Sequence, residues 1–401
     1  MNTRPKVLMF AYAVDSKDVG EAQLTYQWIE QIAQKVDVTL ITMGSRIHKK
    51  CGFENHSSVR LKIVKPLLRF RWAGAFDRVF KPDYVELYRR ARVLAKEILS
   101  AESFDALHHI APHSPRYPSP LHGLHKRFYI GPIHGGLGLP EAFVKQNIKT
   151  KIAANIRRID GWRYEYDGLI NKHFHSANKL LISAPYVKDL LPAKFSDKCL
   201  VIPPQPPATV ECDLDRKKIC KPLKLLFVGR LIENKGVRYA IEALKELPQD
   251  SYHFTIYGTG DLEVELKKLV DEYNLSRCVT FKGFADHKTI LSEMPKHDVL
   301  LFPSLKEAWG LVVTEAMNSG LAVVCADRGG PGYIVDETCG IKLSAENPTV
   351  LVREMYSAIQ KLIADHALVH EMGKGARRKV DREFTWDVLT QKMLDLYCCS
   401  D

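Results

Sequence analysis

Two carboxylates stand eight positions apart, at Glu307 and Glu315, with Gly310 between them. An apolar run over residues 298–302 predicts a strand before them, and the pattern of residues 311–319 predicts a helix. In open parallel sheets ligands bind beyond the carboxyl ends of the strands, and the first turn of a helix offers N–H groups to anions. Amides could therefore hold a diphosphate, while Glu315 binds ribose hydroxyls and Glu307 binds sugar hydroxyls. This arrangement indicates a nucleotide-sugar site, although two glutamates at this spacing also occur on solvated helix faces.

A pair of cations follows the first predicted strand of the second half of the chain. Residues 227–236 read Phe-Val-Gly-Arg-Leu-Ile-Glu-Asn-Lys-Gly. Gly229 permits a close backbone approach, Arg230 offers a planar fork of donors, and Lys235 is a point charge. Cations of both kinds at the carboxyl end of a strand suit a diphosphate.

These segments resemble the motifs of retaining glycosyltransferases of the GT-B fold, in particular glycosyltransferase family 4. The resemblance covers nearly all of residues 222–397, and the N-terminal half only in outline. It implies an α/β fold of two doubly wound Rossmann-like domains facing each other across a cleft. It also implies a nucleotide-diphosphate sugar as donor, with a UDP-sugar favoured, and no cofactor or metal. Arg230 and Lys235 would hold the diphosphate and stabilise the leaving group, and Glu307 would act on the sugar.

The resemblance assigns further residues to the donor. Residues 282–285, Lys-Gly-Phe-Ala, match the segment whose backbone meets the nucleobase, and Gly20 ends the first strand–helix loop of the N-terminal half. Relatives usually have two glycines at the latter place, and Tyr333 replaces a frequent glutamate after Gly-Gly-Pro-Gly. The full implied donor set is Gly20, Gly229, Gly283, Phe284, Ala308, Trp309, Gly310, Leu311 and Glu315.

Histidines gather where two predicted strands of the N-terminal half end. Residues 107–113 read Leu-His-His-Ile-Ala-Pro-His, and residues 131–134 read Gly-Pro-Ile-His. Relatives carry a histidine near this place that reaches the donor sugar. His109 is the candidate for that catalytic role, the register leaves His108 open, and His134 is a further candidate for the cleft.

Length and composition favour two domains in a globular protein. The chain has 401 residues, a hydrophobic content of 46% and a net charge of +11. No apolar run approaches the roughly 18 residues of a membrane-spanning helix, and nine cysteines without metal-ligand spacing fit reduced thiols in a cytoplasm. The sequence predicts domains over residues 1–205 and 223–380, a proline-rich linker over 206–222, and a C-terminal helix within 381–401 that crosses back to the first domain.

Alternating strand and helix patterns predict a parallel sheet in each domain. In the first half the predicted strands cover residues 6–12, 36–42, 59–64, 105–110, 127–133, 179–183 and 199–202. In the second half they cover residues 224–228, 252–257, 279–282, 298–302, 321–325 and 340–343.

The acceptor is predicted from charge and from the family's usual setting. Residues 60–96 contain eleven lysines and arginines with Phe70, Trp72, Phe76 and Phe80 among them. Such a segment suits an anionic membrane surface or a lipid-diphosphate acceptor, and equally a solvated helix face. The family's commonest setting implies a saccharide or lipid-linked saccharide acceptor in bacterial surface polysaccharide assembly, with the enzyme at the inner face of the cytoplasmic membrane.

Two rival functions and one rival metal site are also open to the sequence. The positive charge would suit a glucosyltransferase of the same fold acting on nucleic acid, although no base-reading motif is present. A non-catalytic nucleotide-sugar-binding relative is the other rival. Asp213-Leu-Asp215 resembles a metal-binding Asp-x-Asp, but it lies in the predicted linker with no strand before it.

Overall fold

The chain folds into two compact α/β units. The computed structural model describes residues 4–18, 20–65, 81, 83–144, 159–210 and 219–398. The first unit comprises residues 1–136, 152–205 and 386–401, and the second comprises residues 137–151 and 206–385. The segment 137–144 thus groups with the second unit, whereas the sequence placed it in the first domain.

The described residues of the first unit form a seven-stranded parallel sheet. Its strand order is β3-β2-β1-β4-β5-β6-β7, as in a doubly wound fold. The strands are β1 (Lys6–Ala11), β2 (Asp37–Thr42), β3 (Val59–Ile63), β4 (Ala106–Ala111), β5 (Phe128–Ile133), β6 (Lys179–Ile182) and β7 (Cys199–Val201).

Helices cover this sheet and bury one apolar stripe each. They are α1 (Glu21–Ala33), α2 (Tyr84–Ala101) and α3 (Gly168–Ser176), and residues 159–166 are also helical. On α2 the buried side chains recur every three or four positions, which is the spacing of one helix face. They are Tyr84, Leu87, Ala91, Ala95 and Ile98.

The described residues of the second unit form a six-stranded parallel sheet in the order β10-β9-β8-β11-β12-β13. The strands are β8 (Leu223–Val228), β9 (Tyr252–Tyr257), β10 (Val279–Gly283), β11 (Val299–Phe302), β12 (Ala322–Ala326) and β13 (Gly340–Leu343). The helices are α4 (Val237–Leu244), α5 (Glu263–Glu272), α6 (His287–Glu293), α7 (Leu311–Asn318), α8 (Gly329–Ile334), α9 (Pro348–Ala364) and α10 (His366–Glu383).

The last helix, α11 (Trp386–Cys398), packs in the first unit against α1. The indole of Trp386 lies edge-on to that of Trp28, with ring centroids 5.3 Å apart. The Tyr397 hydroxyl lies 2.7 Å from Nδ1 of His108 in β4. These contacts join the end of the chain to the centre of the first sheet.

Several sequence predictions lie outside the described residues. They include Asp213, Asp215 and the four aromatic residues of the basic segment. Within the ranges described above, no helix is both long and apolar enough to cross a bilayer.

Candidate functional site

The strand order of the second unit places a switch point between β8 and β11, where an open parallel sheet forms its ligand crevice. The loop of residues 229–236 follows β8, and the loop of residues 303–310 follows β11. The backbone N–H of Leu305 donates to the carbonyl of Asn234 at 2.9 Å. The two loops that carry the predicted cations and Glu307 are therefore in direct contact.

An ion pair joins these loops. Nζ of Lys235 contacts Oε2 of Glu307, and the two side chains are 16% and 23% exposed. The same ammonium lies 5.5 Å from the ring centroid of Phe302, while Arg230 is exposed on the loop. Lys235 and Glu307 are thus held together at the sheet edge and remain accessible to a ligand.

A left-handed glycine ends the β8 loop where it meets β11. Gly236 has φ of 71°, and a Cβ at this position would lie 2.3 Å from the carbonyl oxygen of Pro303. A side chain here would push the two loops apart. In the Lys-Gly dipeptide, Lys235 therefore supplies the charge and Gly236 permits the close approach of the loops.

Gly310 provides the turn from the Glu307 loop into α7. Its φ of 86° and ψ of 60° lie in the left-handed region that glycine adopts without strain. The first N–H groups of α7 lack partners within the helix, so the turn presents them beside Glu307. Ala308 and Leu311, on either side of this turn, are half-buried and border the same edge.

The loop of Glu307 rests directly on the start of α8. The N–H of Gly330 donates to the carbonyl of Glu307 at 3.1 Å. A Cβ at Gly330 would lie 2.1 Å from the carbonyl oxygen of Trp309. The close approach at Gly330 therefore helps to set the position of the Glu307 loop.

We expect Gly330→Ala to displace this loop. Overpacking of this kind costs about 1–3 kcal/mol, so the melting temperature should fall and nucleotide-diphosphate affinity should weaken with it. Thermal melting and calorimetric titration measure the two effects. Gly168→Ala is the matched control, because that glycine also begins a helix and has no atom within 4 Å of the added Cβ. Equal behaviour of the two variants would contradict the tight approach.

Glu315 is buried, at 4% exposure, and has a partner that the sequence did not reveal. Nε2 of His287 lies 2.6 Å from its Oε1. Burial raises the pKa of Glu315 above its usual value, and the hydrogen bond and charge of His287 act in the opposite direction. A buried carboxylate with one polar neighbour is suited to accept hydrogen bonds from hydroxyl groups.

His287 lies two residues after the predicted nucleobase segment, residues 282–285. Gly283 has φ of 70°, and Phe284 is 79% exposed, so this segment turns outward before α6 begins. Asp286 caps α6 by accepting from the N–H of Thr289 at 2.8 Å. The short helix thereby brings His287 to Glu315. Its place just after the Gly-Phe segment was the available sequence signal.

The side chain of Trp309 does not belong to the ligand surface. It is 6% exposed and lies edge-on to Phe384, with ring centroids 5.6 Å apart. Only the backbone of this residue is available to the predicted donor set. Its aromatic side chain anchors the loop in the core of the second unit.

His109, the predicted catalytic histidine, lies in the core of the first unit. It is 1% exposed, stacks on Phe10 with centroids 5.5 Å apart, and meets His173 edge-on. Burial lowers its pKa to about 3. The assignment of His109 to catalysis is therefore corrected, because strand β4 is buried on both faces and this side chain reaches no surface.

His108 is also structural. It is 1% exposed, and its ring nitrogens lie 2.7 Å from the Tyr397 hydroxyl and 2.8 Å from the carbonyl of Gly131. Burial lowers its pKa to about 4, so it stays neutral at physiological pH. This histidine fastens α11 to the sheet.

The histidines that reach the carboxyl edge of this sheet are His113 and His134, which follow β4 and β5. Their ring centroids are 4.6 Å apart. Both ring nitrogens of His113 and Nδ1 of His134 are buried with no hydrogen-bond partner in the described structure. Burial lowers the pKa of both groups. The sequence places His113 in the histidine cluster, but of these two residues only His134 was proposed for the cleft. The position of His113 just after the strand was the relevant signal.

A cavity of about 410 Å³ opens beside His134 in the first unit. It is bordered by Arg116, whose Nε donates to Oδ2 of Asp160 at 2.9 Å.

Gly20 immediately precedes α1, has φ of 76° and is exposed. Its assignment to the donor stays a prediction.

The basic segment is described only in part. The part of it that lies on α2 includes Arg89 and Arg90, which are exposed. Nη1 of Arg92 donates to the carbonyls of Pro120 and His122 at 2.9 Å.

In the described ranges, no three His, Cys, Asp or Glu side chains are grouped as a metal site would require.

Comparisons with known proteins show similarity to glycosyltransferases. Residues 214–379 match the family model "Glycosyl transferases group 1". The amylovoran biosynthesis glycosyltransferase of Erwinia amylovora is 30% identical over 189 residues, which are 45% of this chain and 46% of that protein. The aligned region thus spans about half the length of this relative.

Solved structures match over nearly the whole chain. The lipopolysaccharide outer core galactosyltransferase WaaB superimposes with a TM-score of 0.65 at 14% identity, covering 98% of both chains. Anabaena HepE in complex with UDP-glucose gives 0.58 at 15% identity, again over 98% of both chains. These likenesses confirm the predicted α/β GT-B fold. The segment that matches the family model lies within the second unit, which holds the Lys235–Glu307 pair.

Proposed function

We propose that this protein is a retaining glycosyltransferase of family 4 that moves a sugar from a nucleotide-diphosphate sugar to an acceptor hydroxyl. The observation that carries the proposal is the Lys235–Glu307 pair at the switch point of a sheet that matches a glycosyltransferase family. A cation for the diphosphate and a carboxylate for the sugar are held together there. The buried Glu315 lies on α7, the helix that starts four residues after Glu307.

The donor we propose is a UDP-sugar. Arg230, Lys235 and the first turn of α7 bind the diphosphate, Glu315 accepts from the ribose hydroxyls, and the segment at Gly283 meets the base. A structural neighbour, Anabaena HepE, was solved with UDP-glucose, which favours uridine.

The reaction breaks the bond between the anomeric carbon and the diphosphate oxygen and forms a bond from that carbon to the acceptor oxygen. The departing diphosphate oxygen takes the acceptor proton on the same face, so the anomeric configuration is retained. Lys235 and Arg230 offset the charge that develops on the leaving group, and Glu307 stabilises the cationic sugar. We propose that these cations replace a divalent metal.

The acceptor we propose is a saccharide or lipid-linked saccharide of bacterial surface polysaccharide. The Erwinia relative is named for amylovoran biosynthesis and the structural neighbour WaaB for the lipopolysaccharide outer core. The cavity beside Arg116 in the first unit has room for a sugar ring. A lipid-linked acceptor would place the enzyme at the inner face of the cytoplasmic membrane.

Apolar side chains on one helical face of the first unit support such membrane contact. Ile159, Trp162 and Tyr166 recur at helical spacing and are 58%, 63% and 69% exposed. Tryptophan and tyrosine favour the bilayer interface, and Arg163 beside them suits anionic headgroups.

We expect Trp162→Ser with Tyr166→Ser to weaken binding to vesicles of mixed phosphatidylglycerol and phosphatidylcholine. The loss of two interfacial rings should lower the partition coefficient about tenfold or more, measured by sedimentation. Val264→Ser is the control, because this apolar residue is 82% exposed in the second unit. If the double variant sediments with the vesicles as wild type does, this helical face does not bind the membrane.

Thermal shift against UDP-, GDP- and ADP-sugars tests the donor, because a ligand of the folded state raises the melting temperature. NMR of the product from an α-linked donor should then show an α-linkage, formed equally in excess EDTA. No stabilisation by any nucleotide-sugar would reject the proposed function. A β-linked product would reject retention, and loss of activity in EDTA would reject metal independence.

A further inference from the structure

The partner of Glu315 points to a further residue in donor recognition. We infer that His287 is a positioning residue, which holds the Glu315 carboxylate oriented and ionised so that it accepts from both hydroxyls of a nucleotide ribose. The inference rests on the proposed function, because it takes Glu315 as the ribose-binding group. It adds a determinant of nucleotide affinity and of its dependence on pH.

Glu315 and His287 differ in their exposure to solvent, which fits their different roles. Glu315 is 5% exposed at its side chain, whereas that of His287 is 61% exposed. With Glu315 ionised, the Nε2–H of His287 donates to Oε1 over 2.6 Å. One oxygen is thereby fixed from the solvent side, and the remaining lone pairs of the carboxylate stay available to hydroxyl donors.

Burial opposes the charged form of Glu315, so that charge depends on compensation. Removing a carboxylate from water favours its protonated form, and a hydrogen bond to the ionised form favours the charge. Burial is the largest influence on Glu315, and His287 is the group that lowers its pKa. A protonated Glu315 would donate one hydrogen bond and accept less well from the ribose.

Charges on the elements packed against α7 have other partners. Neither β11 nor β12 carries an ionisable side chain except Cys325, and α8 carries Tyr333. On α10, Arg377 donates to the carbonyl of Asn318 at 2.9 Å, and Lys379 pairs with Asp336. On the loop before α7, Glu307 is paired with Lys235. His287 is therefore the group on which the ionisation of Glu315 depends.

The test is the affinity of His287→Ala for UDP and for 2′,3′-dideoxy-UDP between pH 6 and 8.5. Loss of the hydrogen bond lets the pKa of Glu315 rise, so less carboxylate remains as pH falls. UDP binding should weaken about tenfold relative to wild type at pH 6, with the ratio shrinking toward pH 8.5. Dideoxy-UDP, which lacks both hydroxyls, should bind the two proteins alike.

Two further variants make the result specific. His287→Gln keeps an N–H donor without ionising and should restore most of the affinity at pH 6. Ser292→Ala, an exposed change on the same helix, should match wild type at every pH. Equal weakening of UDP and dideoxy-UDP in His287→Ala, or no dependence on pH, would overturn the inference.

Glu315→Gln distinguishes this inference from the proposed function. If Glu315→Gln removes the preference for UDP over dideoxy-UDP while His287→Ala leaves it intact at all pH values, the ribose site stands and the role of His287 fails. If Glu315→Gln leaves that preference unchanged, the ribose assignment itself fails.

Discussion

The Glu307→Gln variant is expected to lose turnover and to bind nucleoside diphosphate more tightly. The variant removes the charge that we propose stabilises the sugar in the transition state, and kcat should fall about 10²–10³-fold. The same change frees Lys235 from its carboxylate partner. Affinity for the diphosphate should then rise by about three- to tenfold, the equivalent of ~1 kcal/mol for a partly buried pair.

Steady-state kinetics and calorimetric titration with UDP measure these opposite effects. The proposed role of Glu307 lies mainly in the transition state, so kcat should fall more than KM rises. Glu346→Gln, an exposed glutamate of the same unit, controls for the loss of one negative charge. A fall in both kcat and UDP affinity would mean that Glu307 binds the nucleotide, and its assignment to the sugar would be wrong.

The central strands were predictable because they are short, mostly apolar runs bounded by polar turns. In parallel sheets covered on both faces, strands read as near-continuous hydrophobic segments. The strands β11 and β12 are apolar throughout, and β1 and β8 contain one lysine each. Each observed strand lies within one residue of its predicted bounds. The helix α7 also begins at its predicted position, residue 311, because the left-handed Gly310 marks its start.

The residues of the site were predictable where a charged side chain lies in the loop directly after a strand. Lys235 and Glu307 are 72 positions apart, and only the rule that parallel strands share one carboxyl edge brings them together. The prediction for His109 was wrong, because every side chain of a strand that is buried on both faces lies in the core. No local pattern distinguishes a buried polar residue of such a strand from an exposed one. His113, four positions later, is beyond the strand and lies at the edge.

The contact of His287 with Glu315 could not be predicted from local patterns. The two residues belong to different helices, α6 and α7, and their approach depends on the strand order β10-β9-β8-β11. The cap at Asp286 sets where α6 begins, and the outward turn at Gly283 sets its direction. Tertiary packing determines which side chains of different helices meet. The sequence can therefore indicate that His287 and Glu315 are candidate site residues but not that they contact each other.

Lys235→Ala should be the most damaging change to donor binding. A charge-assisted hydrogen bond to a diphosphate contributes about 1.5–3 kcal/mol, so affinity for UDP should fall at least tenfold. The variant also leaves the Glu307 carboxylate without its cation, and this negative charge then repels the diphosphate. The loss should therefore exceed that of Arg230→Ala, and Lys361→Ala, on the exposed face of α9, should have no effect.

The double variant Lys235→Ala with Glu307→Gln separates these two contributions. If part of the loss comes from repulsion by Glu307, UDP affinity of the double variant should recover several-fold above that of Lys235→Ala alone. Turnover should not recover, because both the leaving-group cation and the sugar carboxylate are gone. The double-mutant cycle measures the coupling free energy between the two side chains. Because these residues are in contact, the free-energy change of the double variant should differ clearly from the sum of the two single changes. Additive losses in affinity would show that the ion pair in the structure does not govern diphosphate binding, and Lys235 would then act on the leaving group alone.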